Sequence, residues 1–198
     1  AREKLADPKF LAYYDHRRPT RLYTDASRLN GLGFVLKQQQ EDKSWRIVQA
    51  GSRFLSSAET RYAMVELELL AIAWACKKAR AFLEGVDFTV VTDHKHLLPI
   101  LNDYALGDIE NRRLQRLKEK LQHYRFKACW VPGKENEEAD ALSRAPIRNP
   151  EPEDLIDEEE SQIATSAAAL EACFVEEDGT NHALETNEFE ANLVSMSS

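Results

Sequence analysis

Cysteine is scarce: Cys76, Cys129 and Cys173 lie far apart, with no CxxC or Cys/His spacing around them. That excludes a zinc site of the usual spacings and a disulfide framework, and it fits a reducing compartment. No apolar run approaches the length of a membrane span, and no charged, apolar and small-residue succession of a signal peptide opens the chain. The chain begins at Ala1 inside a stretch that reads as helical, as expected of a piece cut from a longer polypeptide. Residues 149–198 lack lysine and arginine and carry 14 acids, whereas residues 1–148 hold all 26 basic residues against 20 acids. The net charge of −8 is thus a body of +6 joined to a tail of −14, so the acidic total does not exclude a nucleic-acid partner for the body.

What is present is ordered along the chain. Residues 1–20, with a break at Pro8 and an apolar group at Phe10, Leu11, Tyr13 and Tyr14, read as a connector. From Arg21 the pattern is strand-like: LYTDAS, a hairpin signal at Asn30-Gly31, GFVLKQ, a polar turn at Asp42 to Ser44, and WRIVQAGS. These predict a three-stranded antiparallel meander. Ser56-x-x-Glu59 has the form of a capping box opening a long helix, which Gly85 closes. DFTVVTD then reads as a buried strand, residues 110–123 as a leucine-faced helix, YRFKACWV as a strand with Phe126 and Trp130 in the core, and Asn136 as the cap of a last short helix. The expected fold class is α/β: a five-stranded mixed sheet, three strands antiparallel and two parallel, with helices packed on it.

Within Arg61 to Leu83, stepping at about 100° per residue puts Met64, Val65, Ala71, Ile72, Ala75, Ala79, Phe82 and Leu83 on the same stripe as Glu68. Glu66 falls about 160° away, on a face with Glu59, Lys77, Arg80 and Glu84 that is expected to be solvated. A charge in the middle of an apolar stripe costs several kcal/mol unless it is compensated. The strands before and after this helix are expected to be parallel neighbours, and ligands gather at the carboxyl ends of such strands. Asp25 lies late on the first, Asp93 ends the second, and Asp140 on the last helix can come alongside Glu68 there. Carboxylates converging in this way repel one another, and with oxygen-only donors the natural compensation is Mg²⁺, or Mn²⁺.

Five segments now carry a resemblance: YTDAS at 23–27, VELELLAIAWA at 65–75, TDHKHL at 92–97, NRRLQR at 111–116 and PGKENEEADALSR at 132–144. In this order they resemble the ribonuclease H domain of gypsy-type LTR retrotransposon polyproteins, over roughly residues 5–146. The resemblance implies a four-carboxylate site at Asp25, Glu68, Asp93 and Asp140 that cuts the RNA strand of an RNA:DNA hybrid. It implies two metal ions, one activating the attacking water and one stabilising the departing 3′ oxygen, with Asp25 bridging both. The implied partners are a polymerase upstream and an integrase downstream in the same polyprotein, and the implied setting is cytoplasmic, within retrotransposon particles. Neither a polymerase YxDD-type motif nor an integrase His/Cys pattern occurs in this chain. The chain also departs from cellular and retroviral ribonucleases H, because Pro132 to Asn136 is short and holds no histidine. That bears on turnover more than on reaction type.

Hybrid recognition is expected to rest on backbone phosphates and 2′ hydroxyls, with Arg112, Arg113, Arg116, Lys118 and Lys120 as candidates for the phosphate track. Plainer readings stand beside each of these. An aspartate at a strand end also serves turns and caps, Glu68 can be half of a buried salt bridge, a basic helix can be an ordinary solvated face, and His94 and His96 read as loop structure or as neighbours of the site. The same fold can also serve without catalysis, as a connection-type nucleic-acid-binding or structural module, although such domains typically lack the carboxylates. Residues 147–198 read as an acidic, mostly disordered tail or linker with one mixed segment, SQIATSAAALEACFVEE, suited to two or three helical turns.

Overall fold

The computed structural model describes residues 11–154; what the sequence leads one to expect of residues 1–10 and 155–198, including the mixed segment, lies outside them. β1 (Thr20–Ala26), β2 (Gly31–Gln39) and β3 (Trp45–Phe54) form the antiparallel meander. A long helix follows, α1 (Met64–Lys78), continued by the short α2 (Arg80–Leu83). β4 (Asp87–Thr92) then pairs parallel with β1, and β5 (Arg125–Trp130) pairs parallel with β4. The sheet order β3-β2-β1-β4-β5 puts β1 at the centre. α3 (Leu97–Asn102) and α4 (Arg112–Glu119) lie between β4 and β5, and α5 (Glu137–Arg144) follows β5. No helix among the described residues is long and apolar enough to cross a membrane.

Strand alternation divides the core in two. Leu22, Phe34, Leu36 and Val90 join the large cluster under α1, while Tyr23, Val35 and Ile47 meet Leu142 of α5. The approach of α5 depends on Gly33: a Cβ there would sit 2.5 Å from the backbone nitrogen of Ser143 and 2.6 Å from the carbonyl of Ala139. Only glycine lets helix and strand backbones come this close.

Several local expectations are corrected. Ser56 and Glu59 do bond reciprocally, but they open a 3₁₀ turn at Glu59–Arg61; α1 begins later, with Glu66 accepting from the backbone N–H of Ala63. Nor has α1 a wet flank carrying Glu59 and Glu66. Every residue from Glu66 to Cys76 is buried, because α4 and the segment after α5 cover what the sheet leaves open. Glu59 forms a two-pronged bond with the buried Arg53, at 2.7 Å on each prong. The hairpin turn is residues 27–30, closed by Ser27 and Asn30, and Gly31 is glycine because a Cβ would strike the carbonyl of Arg53. Asn136 stands at the start of α5 without capping it; its side-chain amide donates to the carbonyl of Thr24 at 2.9 Å, tying α5 to β1. Trp130 is 38% exposed rather than core, with Lys95 stacked 3.9 Å over its ring.

Two flanking segments belong to the packed body. Residues 11–12 bridge to Ile47, Tyr14 packs on Phe82, and Gln38 bonds Asp15. At the other end, the expected tail is docked as far as Asp154. The carbonyl of Arg148 accepts from Phe54, and Asp154 is fully buried with bonds from Trp74 Nε1 (3.0 Å), Lys78 Nζ (2.7 Å) and Arg148 Nη1 (2.8 Å).

Candidate metal centre

Asp25 is the last residue but one of β1, Glu68 lies in the second turn of α1, and Asp93 directly follows β4. Asp25 and Glu68 reach the same point around the carboxyl end of the sheet from α5's side and α1's side. Each of Asp25, Glu68 and Asp93 offers a carboxylate oxygen within 4.8 Å of the others. The three open into a cleft of about 430 Å³ that is also lined by Arg28, His94, Asp140 and Arg144.

Each acid is held by identifiable neighbours. Ser143 Oγ donates to Asp25 Oδ2. Glu68, 3% exposed, accepts from the backbone N–H of Ala26, and its Oε2 has no hydrogen-bond partner. Asp93 is braced from β5, where Trp130 Nε1 donates to its carbonyl at 3.0 Å, and a Cβ on Gly133 would stand 3.3 Å from its carboxylate. Asp140 lies outside the group of three: its Oδ1 is bonded by Arg144 Nε at 2.6 Å, one helical turn on.

Burial raises Asp25 from the usual 3.8 to about 6, reinforced by Asp93 and Asp140 and opposed by Ser143 and Arg144. Glu68 is pushed well up by burial and then by Asp25 and Asp93, with only the Ala26 N–H opposing. Burial and His96, 5.7 Å away ring to ring, lower His94, which lines the cleft. Charge repulsion among hard oxygen donors, together with a buried carboxylate oxygen that nothing satisfies, is the donor set of a divalent cation such as Mg²⁺ or Mn²⁺. Asp25, Glu68 and Asp93 fit such an ion, with Asp140 at the rim.

The basic residues behave less uniformly than expected. Arg113 is committed to Glu66, at 3.1 Å, and lies 3.9 Å over the Tyr62 ring. Lys118 donates to the carbonyls of Ile100 and Tyr104, closing the end of α3. Arg116 is half-buried and engaged by neighbours. Arg112 and Lys120 are exposed. The sequence reading missed Ser143, Arg144, Gly33 and the inward turn of Asn136. Ser143 and Arg144 stand three and four positions after Asp140, so helical spacing alone could have put them beside it.

Residues 15–124 match the model of the RNase H-like domain found in reverse transcriptase. The chain belongs to that family. It is 38% identical over 144 residues to the Retrovirus-related Pol polyprotein from transposon opus of Drosophila melanogaster, covering 72% of this chain and 14% of that polyprotein. With the polyprotein from transposon gypsy of the same organism it is 36% identical over 169 residues, covering 84% of this chain and 15% of the relative. This RNase H-like chain therefore spans only a small part of the curated relatives it matches. Among solved structures, the N-terminal RNase H domain of a Mycobacterium tuberculosis protein superposes with a TM-score of 0.50 at 17% identity, covering 65% of this chain and 98% of the other, a likeness of fold.

Proposed function

We propose that this domain is a metal-dependent endonuclease that hydrolyses the RNA strand of RNA:DNA hybrids. The observation that carries the proposal is the convergence of Asp25, Glu68 and Asp93 at the carboxyl end of the sheet, with one buried Glu68 oxygen unsatisfied. Membership in the family of RNase H-like domains found in reverse transcriptase supports the same reading. Asp25, Glu68 and Asp93 would hold the cation, with Asp140 completing the set once Arg144 is drawn off to another anion. Divalent cations, when bound, offset the charge of the four acids and of the scissile phosphate and lower the pKa of water. The chain's own contribution is to fix these carboxylates, Asp25 and Glu68 buried and Asp93 and Asp140 half-buried, and to shape the cleft beside them. Exposed Arg112 and Lys120 are the residues of the basic helix left to meet backbone phosphates.

In this reading the domain works within a Pol polyprotein in cytoplasmic retrotransposon particles, with a polymerase before it and an integrase after it. The test is an assay on labelled RNA:DNA hybrid with Mg²⁺, comparing the native chain with Asp93→Asn and Glu68→Gln. Native cleavage, with both variants reduced at least 100-fold, is the expected result. Equal cleavage by all three sinks the proposal.

A further inference from the structure

Ser143 is fully buried near the end of α5, with its backbone nitrogen close against Gly33 of β2. A buried hydroxyl needs a reason, since without a partner it is destabilising. Ser143 Oγ has two acceptors in reach, Asp25 Oδ2 and the Asp140 carbonyl at 2.9 Å. A hydroxyl has a single proton, so it serves one of them at a time, and the charged carboxylate is the stronger acceptor. The Asp140 carbonyl, three residues back on the same helix, is the ordinary resting partner of a helical serine. From one position of Oγ the hydroxyl hydrogen can thus turn to a local helix bond or to a long-range bond with the central acid of the cleft.

Its reach depends on two features that also bring α5 onto the sheet. Gly33 leaves the space in which the Ser143 backbone rests, and Asn136 ties the start of α5 to the Thr24 carbonyl, one residue before Asp25. Strand and helix are therefore pinned together on either side of the Asp25 carboxylate.

We infer that Ser143 is a positioning residue: it fixes the plane of the Asp25 carboxylate so that its free oxygen faces Glu68 and Asp93, and so raises the affinity of the site for a divalent cation. This rests on the metal-centre reading above. A purely structural role for the hydroxyl would move stability and leave cation affinity alone.

The test is Mn²⁺ binding to the full chain, followed by electron paramagnetic resonance at pH 8. The native chain is compared with Ser143→Ala and with Asp93→Asn. Alanine is an excellent helix former, so Ser143→Ala is expected to melt within a few degrees of the native chain. It is expected to bind Mn²⁺ roughly ten-fold more weakly, the usual effect of removing a partner that orients a metal ligand. The Mg²⁺ concentration for half-maximal hybrid cleavage should rise by a similar factor while the rate at saturating Mg²⁺ stays close to native. Unchanged Mn²⁺ affinity in Ser143→Ala, with Asp93→Asn impaired, overturns the inference and leaves the metal reading standing. Native binding no stronger than that of Asp93→Asn removes the metal reading and the inference with it.

Discussion

Glu66 and Glu68 are separated by one residue on α1 and are buried to nearly the same degree, 6% and 3% exposed. Yet they belong to opposite kinds of surroundings. Glu66 receives bonds from Asn111, the Ala63 N–H and Arg113, and although burial pushes its carboxyl up, these partners bring it net below the usual range. Glu59 with Arg53, and Asp154 with Lys78 and Arg148, repeat that arrangement. Glu68 meets two further acids and the N–H of Ala26. Burial alone therefore does not mark a functional acid. A buried acid whose nearest charges share its sign does, because folding by itself does not compensate it.

The sharpest way to break this contrast is to neutralise each glutamate in turn. Glu68→Gln should reduce hybrid cleavage by a factor of about 10³ and raise the melting temperature of the cation-free protein, since it removes a repelled charge. Glu66→Gln should keep cleavage within a few-fold of native and cost about 1–2 kcal/mol in urea unfolding, discounted because Arg113 is partly exposed. If Glu66→Gln proved the inactive and more stable variant, the two assignments would be exchanged.

Next in size is the Asp154 clasp. Asp154→Ala leaves Lys78, Arg148 and the Trp74 N–H without their shared acceptor, and should cost about 2–3 kcal/mol with the hybrid activity of the folded fraction retained. A chain ended at residue 146 should lose at least as much.

Acidity separates the two groups of acids more finely. In the folded chain Asp25 takes up a proton near 6, against 3.8 ordinarily, so between those values the folded state binds more protons than the unfolded one. The cation-free protein should therefore lose about 1 kcal/mol through Asp25 as pH rises from 5 to 7.5. Glu66 and Asp154 have lowered values, so their contributions are lost only below the usual carboxylate range, and stability should peak near pH 5. Urea midpoints in chelator across pH 4 to 8 test this, and a profile flat or rising from 5 to 7.5 would contradict it. The smallest effect expected is that of Arg112→Ala with Lys120→Ala: a several-fold weaker hybrid affinity and a salt dependence shallower by about two, with melting unchanged.

Much of this was legible without coordinates because it is carried by local signals. The strand-like runs LYTDAS and DFTVVT located β1 and β4 as parallel neighbours, and the ends of those strands gave Asp25 and Asp93 their place. Helical stepping picked Glu68 as the acid directed at the sheet. The same stepping failed for Glu66 and Glu59, since a projection of one helix carries no information about Arg113 or Arg53, which arrive from elsewhere in the chain. It failed likewise for Arg113 and Lys118, whose charge looked like a surface feature until the acid and the carbonyls they serve were in view. Trp130 read as core because alternation gives the face of a strand and not how far the covering layer extends.

β3 is an outer strand of the sheet, and both flanking segments of the domain lie against it: residues 11–12 at Ile47, Arg148 at Phe54. Trimming either segment to obtain a tidier domain would uncover backbone amides and carbonyls suited to recruit a strand from another molecule. Shortened versions should thus self-associate as concentration rises, and solubility, more than catalysis, would dictate where the domain can be cut.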